Sequence, residues 1–259
     1  MCFLAKKIKT FITVLYVLIL LVILPYKNLL ATGIHVGVAS NFLIPMKFIK
    51  KTFENKNNIK VFLSSGSSGS LYSQIINGAP LDIFLSADQN QPKKLEKTAR
   101  AIKGTRFTYA TGKLVVYSTK KFLFGQSFPQ FLTSNKINYI GIGKPEYVPY
   151  GRAAIEVLKS LKVIKEISPK LVLGKSVNQV FLMSFFGNLD LGFVSKADFL
   201  SNNEKGKIWE IPQNLYSPIK QDAILLKNGE KKNNAIFFLK FLSSERTKED
   251  LKRFGYVFD

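Results

Sequence analysis

"SSGSSGSLYSQIINGAPLDIFLSAD" runs from Ser64 to Asp88. Its first seven residues are only serine and glycine. Such a run is either a flexible spacer between domains or a turn that offers backbone N–H groups and hydroxyls to an anion. The flanks decide between them. "IKVFLSS" (59–65) before it reads as a strand. After it, Leu71, Tyr72, Ile75 and Ile76 share one helical face, and Asn77-Gly78 is a C-terminal stop. "LDIFLSAD" (81–88) is the next strand. A spacer has no place wedged between a strand and a helix, whereas a βα loop does. Loops of that kind, at the C-terminal ends of parallel strands, are where open α/β sheets bind ligands.

The same alternation extends both ways. "IHVGVAS" (34–40) reads as a strand, and Phe42, Met46, Ile49 and Phe53 then recur at helical spacing, with Pro45 in the first turn. Further strands are expected at "GKLVVYST" (112–119), from Ile137 in "INYIGIGKPEYVPYG", at "KLVLG" (170–174), "LDLGFVSKAD" (189–198) and "QDAILLKNG" (221–229). Helices are expected over 152–161, 177–188, 234–242 and 245–254. Alternating β and α predicts an α/β fold built on a mostly parallel sheet. No internal repeat interrupts it.

The 259 residues carry 38 Lys+Arg against 17 Asp+Glu. The lysines are scattered in short groups, and the chain is also rich in Asn, Ile and Phe, which fits a compositional bias better than a nucleic-acid surface. A positive surface still draws small anions in. Lys6, Lys7 and Lys9 precede an apolar run from Phe11 to Leu24, broken by Pro25, with Ala31 as a cleavage position. The run is shorter than the ~20 residues of a spanning helix and has the layout of an export signal. Removing residues 1–31 takes four lysines and no acid, leaving +17. The expected location is periplasmic or extracytoplasmic, with membrane anchoring if the signal stays uncleaved.

Cys2 is the only cysteine and lies in that segment; His35 is the only histidine. The exported chain therefore has no disulfide, no Cys–His chemistry and no His-rich zinc site. His35 reads as a packed or surface residue, Trp209 as a packing residue, and Asp82 and Asp88 as caps or loop partners. What remains is a series of polar strand ends: "ASN" (39–41), the Ser/Gly run, "KPEYVPYG" (144–151), "GKS" (174–176) and Ser195. They supply hydroxyls, one amide and the N–H groups of helix starts. That chemistry suits a desolvated oxyanion, since a helix N-terminus attracts an anion without a counter-charge.

The order of these segments resembles the ModA-type molybdate-binding proteins, the exported solute receptors of molybdate ABC transporters. The likeness covers residues 33–259. It rests on "VASNFLIPMKFI" (38–49), "SSGSSGSLYSQIINGAPLDIFLSADQ" (64–89), "KPEYVPYGRAA" (144–154), "LDLGFVSKAD" (189–198) and "SPIKQDAILL" (217–226). It implies the type II periplasmic binding protein fold, two α/β lobes with a ligand cleft between them. Lobe 1 would comprise 32–112 and 222–259, lobe 2 would comprise 113–221, and residues 1–31 would be the signal.

Carried over by position, Ser40 and Asn41 fall on the first ligand position and Ser68 on the second. Tyr150 and Val177 fall where backbone N–H groups donate. Ser195 falls where many members place a tyrosine, and a serine is shorter. The resemblance implies capture of molybdate or tungstate, with no cofactor and no catalysis. Molybdenum would meet Asn41, Ser68, Tyr150 and Val177 only as the bound oxyanion, with no direct metal ligation. A membrane permease would be the partner, the protein a monomer, and nucleic acid no ligand. Another oxyanion or small anion, or an exported enzyme, are the alternatives; the near-absence of histidine disfavours the enzyme.

Overall fold

The computed structural model describes residues 33–202 and 205–258. The segment read as an export signal lies outside them. Two five-stranded sheets form the frame, in the orders β2-β1-β3-β10-β4 and β7-β6-β8-β5-β9. The first contains β1 (Ile34–Ala39), β2 (Val61–Gly66), β3 (Ile83–Leu85), β4 (Phe107–Gly112) and β10 (Ile219–Leu225). The second contains β5 (Leu114–Ser118), β6 (Ile140–Gly143), β7 (Leu171–Gly174), β8 (Leu191–Ser195) and β9 (Lys207–Glu210). Lys113 alone separates β4 from β5, so the chain changes sheets within one residue; it returns through residues 211–218.

The mostly parallel sheet expected from sequence is corrected to two mixed ones. β1 pairs parallel with β2 and β3, and β6 with β7 and β8, while β10 and β5 pair antiparallel with their neighbours. A periodic pattern marks a strand as buried without stating its direction. β4 and β9 are additional to the expected strands. β10 enters the first sheet at Ile219, three residues before the lobe boundary expected from sequence.

The helices are α1 (Leu43–Asn57), α2 (Ser68–Ile76), α3 (Asn90–Lys97), α4 (Pro149–Ser160), α5 (Ile164–Ile167), α6 (Val177–Phe185), α7 (Lys196–Leu200), α8 (Asn233–Leu242) and α9 (Glu245–Lys252). The Ser/Gly run differs from the expected loop. Ser64, Ser65 and Gly66 belong to edge strand β2, Ser67 is the cap, and Ser68 already opens α2. On an edge strand, serines can face water and still keep the ladder, so their composition conceals the strand. In α2, Leu71 and Ile75 turn inward; burying each contributes about 1.5–3 kcal/mol. Gly78, at φ +90°, ends the segment in a conformation a side chain would strain.

One apolar core surrounds the second sheet and two flank the first. Ala39 and Ala87, at the ends of first-sheet strands, pack into the second sheet's core. The lobes are therefore in contact at their strand ends.

Candidate functional site

Both sheets aim helix starts at one small cavity. From lobe 1 come Ala39 at the end of β1, Ser40 and Asn41 after it, Ser67 and Ser68 at the start of α2, and Ala87 after β3. From lobe 2 come Val148, Pro149 and Tyr150 at the start of α4, and Val177 at the start of α6. Five of the six residues expected from sequence, Ser40, Asn41, Ser68, Tyr150 and Val177, thus line one space. The wall positions Ser67, Ala87 and Val148 carried no separate signal, because their contribution is position rather than chemistry.

Local capping leaves the right donors free. The Ser67 hydroxyl accepts from Ser70 N at 3.2 Å, and the Ser176 hydroxyl accepts from Gln179 N at 3.1 Å. The first N–H groups of α2 and α6, on Ser68 and Val177, have no carbonyl within their own helix to reach. Pro149 has no N–H, so Tyr150 carries the leading donor of α4. The Ser68 hydroxyl accepts from Ala87 N at 2.8 Å, which leaves its own proton to donate. No side chain that is ionised at neutral pH lines the cavity. Among the described residues, no three His, Cys, Asp or Glu side chains gather into a metal site.

Asn41, 2 % exposed, sits among phenols. Its Nδ2 donates to Gln221 Oε1 at 3.0 Å, to Tyr256 Oη at 3.0 Å and, longer, to Tyr150 Oη at 3.4 Å. Gln221 Nε2 donates to Tyr150 Oη at 3.1 Å, and Tyr109 Oη donates to Gln221 Oε1 at 2.9 Å. Burial pushes Tyr109, Tyr150 and Tyr256 well above the ordinary phenol range, so all three stay neutral. Gln221, Tyr109 and Tyr256 lie far from Asn41 in sequence, and no local pattern could have joined them to it.

Ser195 is not brought to the cavity. Its hydroxyl donates to Asp198 Oδ2 at 2.6 Å and accepts from Asp198 N at 3.0 Å, closing the first turn of α7. Both hydrogen-bonding directions of this hydroxyl are thus used within its own helix turn. Burial raises the Asp198 carboxyl from 3.8 to about 7, against the opposing bonds from Ser195 and Asn178. The folded state thus holds this proton more tightly than the unfolded chain. Stability is expected to fall as pH rises from about 4 to about 7, by up to about 1.4 kcal/mol per pH unit, and then level off. Asp198→Asn should remove that contribution; urea titrations of both proteins across this range check it, and identical slopes would refute it.

Contacts between the lobes surround the cavity. Gly69 N donates to Tyr147 O at 3.0 Å, and Arg152 pairs with Asp88. Asp88 also accepts from Gln91 N at 3.0 Å, the capping role expected for it. Asp82 accepts from His35 N, Asn228 and Lys232, again within the structure. A methyl group on Gly69 would lie 2.8 Å from Tyr147 Cα. Gly69→Ala should therefore wedge the lobes apart and weaken ligand binding about tenfold while both cores stay intact. Unchanged affinity in calorimetry would show that this contact is not needed for the bound state.

The sequence profile of the family described as "Bacterial extracellular solute-binding protein" matches residues 34–257. The molybdate-binding protein ModA of Rhodobacter capsulatus is 40 % identical over 221 residues, which is 85 % of this chain and 86 % of that protein. The ModA protein of Azotobacter vinelandii is 39 % identical over 229 residues, 87 % of this chain and 90 % of that one. The solved structure of the Azotobacter vinelandii periplasmic molybdate-binding protein superposes with a TM-score of 0.84 at 36 % identity, covering 88 % of this chain and 100 % of that one.

Proposed function

Because the chain belongs to the bacterial extracellular solute-binding protein family, we propose that it captures molybdate between its lobes and delivers it to an ABC transporter. It is a binding protein and makes or breaks no bond. The observation that carries this reading is the cavity: the starts of α2, α4 and α6 and the turn after β1 converge there from both lobes. Partial positive charge from the helix ends, with neutral N–H and O–H donors, holds a dianion without an ionic partner. Ser68 would donate from its hydroxyl and N–H, Tyr150 and Val177 from their N–H groups, and Ser40 and Asn41 from the turn after β1.

Tungstate has the same shape and charge as molybdate and is taken as a second ligand. Sulfate has the same charge and geometry and is smaller; cavity size is the basis for rejecting it. Lys113 and residues 211–218 are the two connections about which the lobes open. We take residues 1–31 as the export signal, the protein as a monomer outside the cytoplasm, and a membrane permease as its partner.

Calorimetry with molybdate, tungstate, sulfate and phosphate tests the reading. Molybdate is expected to bind at nanomolar to micromolar concentration, with weak competition by sulfate. Binding of sulfate or phosphate without molybdate would overturn the assignment. Ser68→Ala removes one donor to a buried anion and should cost about 1.5–3 kcal/mol of binding. Wild-type affinity in that variant would place the ion elsewhere.

A further inference from the structure

Asn41 carries a contradiction at the centre of the site. Its Nδ2 is turned into the protein, while Oδ1 is buried without a hydrogen-bond partner. A residue lining an oxyanion cavity should offer a donor, and a spare acceptor repels the ion. The conflict originates at Gln221. This side chain is fully buried, and its Oε1 accepts from Asn41 Nδ2 and from Tyr109 Oη, while its Nε2 donates to Tyr150 Oη.

We propose that Gln221 is a positioning residue for the anion site, and that its amide and that of Asn41 turn over together when the ion binds. The inference rests on the oxyanion reading above. An amide turned by 180° exchanges donor for acceptor and keeps its shape. In the turned arrangement, Gln221 Nε2 donates to Asn41 Oδ1 and to Tyr109 Oη. The Tyr109 proton goes to Ser86 O, 3.2 Å away, and the Tyr256 proton swings from Asn41 O to Asn41 Oδ1, which now stands 3.0 Å from the phenol oxygen. Tyr150 donates to Gln221 Oε1. Oδ1 gains a partner, and Asn41 Nδ2 is released to the anion. Turning either amide alone would set two oxygens or two nitrogens face to face at 3.0 Å, so the two move as a pair. Tyr150 belongs to α4 of lobe 2, whereas Asn41 and Gln221 belong to lobe 1. The same switch thus ties the donor set to lobe contact.

A lining with one acceptor fewer has a consequence for selectivity. Monohydrogen phosphate must place its own O–H on an acceptor, and the turned Asn41 withdraws its carbonyl oxygen, leaving only hydroxyls among the lining side chains. Fully ionised molybdate and sulfate carry no such proton.

Neutron diffraction from deuterium-exchanged crystals loaded with molybdate reads both amides directly. Asn41 deuterons on the ion and Gln221 deuterons on Asn41 Oδ1 are expected; Gln221 Oε1 still facing Asn41 Nδ2 in the loaded protein overturns the proposal. Calorimetry supplies a second arm. Ionised Gln221→Glu can only accept, holds Asn41 in the unturned state, and should lose about 10–100-fold in molybdate affinity at mildly alkaline pH. Its phosphate-to-sulfate affinity ratio should rise, a change that added negative charge alone does not make. Gln221→Met holds neither orientation and should lose only a few-fold. Equal losses in the two variants would make Gln221 a space-filling residue. If the wild-type protein takes up no molybdate, the substrate reading fails first, independently of either amide.

Discussion

Asn41→Asp is expected to lower molybdate affinity by about 10²–10⁴-fold, corresponding to the 3–5 kcal/mol cost of an uncompensated buried charge. The substitution is nearly isosteric, and the new oxygens can accept from Tyr256 Oη, 3.0 Å from the amide nitrogen they replace, and from Gln221 once its amide is turned. Folding should therefore survive. Binding should not, because a carboxylate in the cavity wall meets a dianion and supplies no donor. Calorimetry gives the affinity and thermal unfolding the control. A loss below tenfold would mean that the Asn41 side chain does not face the ion.

Gly151→Ala should lose about 3 kcal/mol or more of folding stability, the upper end of the cost of overpacking. Gly151 stands in the first turn of α4, directly over β6, and a methyl group there runs into the carbonyl oxygen of Gly143. The obstacle is backbone in a central strand, with no flexible side chain to yield. The helix would have to lift, carrying the Tyr150 N–H with it. Denaturant titration measures the stability, and what remains folded should also bind molybdate weakly. An unshifted midpoint would show that α4 has room over the strand.

The α/β alternation could be read from the sequence because buried strands and amphipathic helices repeat at different periods. The polar strand ends could be read from local chemistry, whereas Ser68, Tyr150 and Val177 were singled out by the resemblance; in the fold, Ser68 and Val177 open helices and Tyr150 follows the proline at the start of a third. The antiparallel course of β10 and β5 was not legible, since "QDAILL" is apolar whichever way it runs. β4 was hidden by its polar residues, with Thr108 and Thr111 in "FTYATG". Ser195 looked like a site residue by position, but the aspartate three residues on makes it a helix cap. The phenol and amide network behind Asn41 joins residues from both ends of the chain, and only folding brings them together.

The order of strands in the two sheets also sets an order of events in time. The second sheet is made from β5 to β9, one uninterrupted stretch of chain. The first sheet has β10 lodged between β3 and β4, so β4 joins that sheet only when β10 arrives. When the chain emerges N-terminus first, the second sheet can be complete while β3 still presents an open edge, a pairing hazard until it is covered. The anion cavity needs both sheets and is among the last features to form. A chain cut short before Ile219 would keep Asn41, Ser68, Tyr150 and Val177 and still have no site.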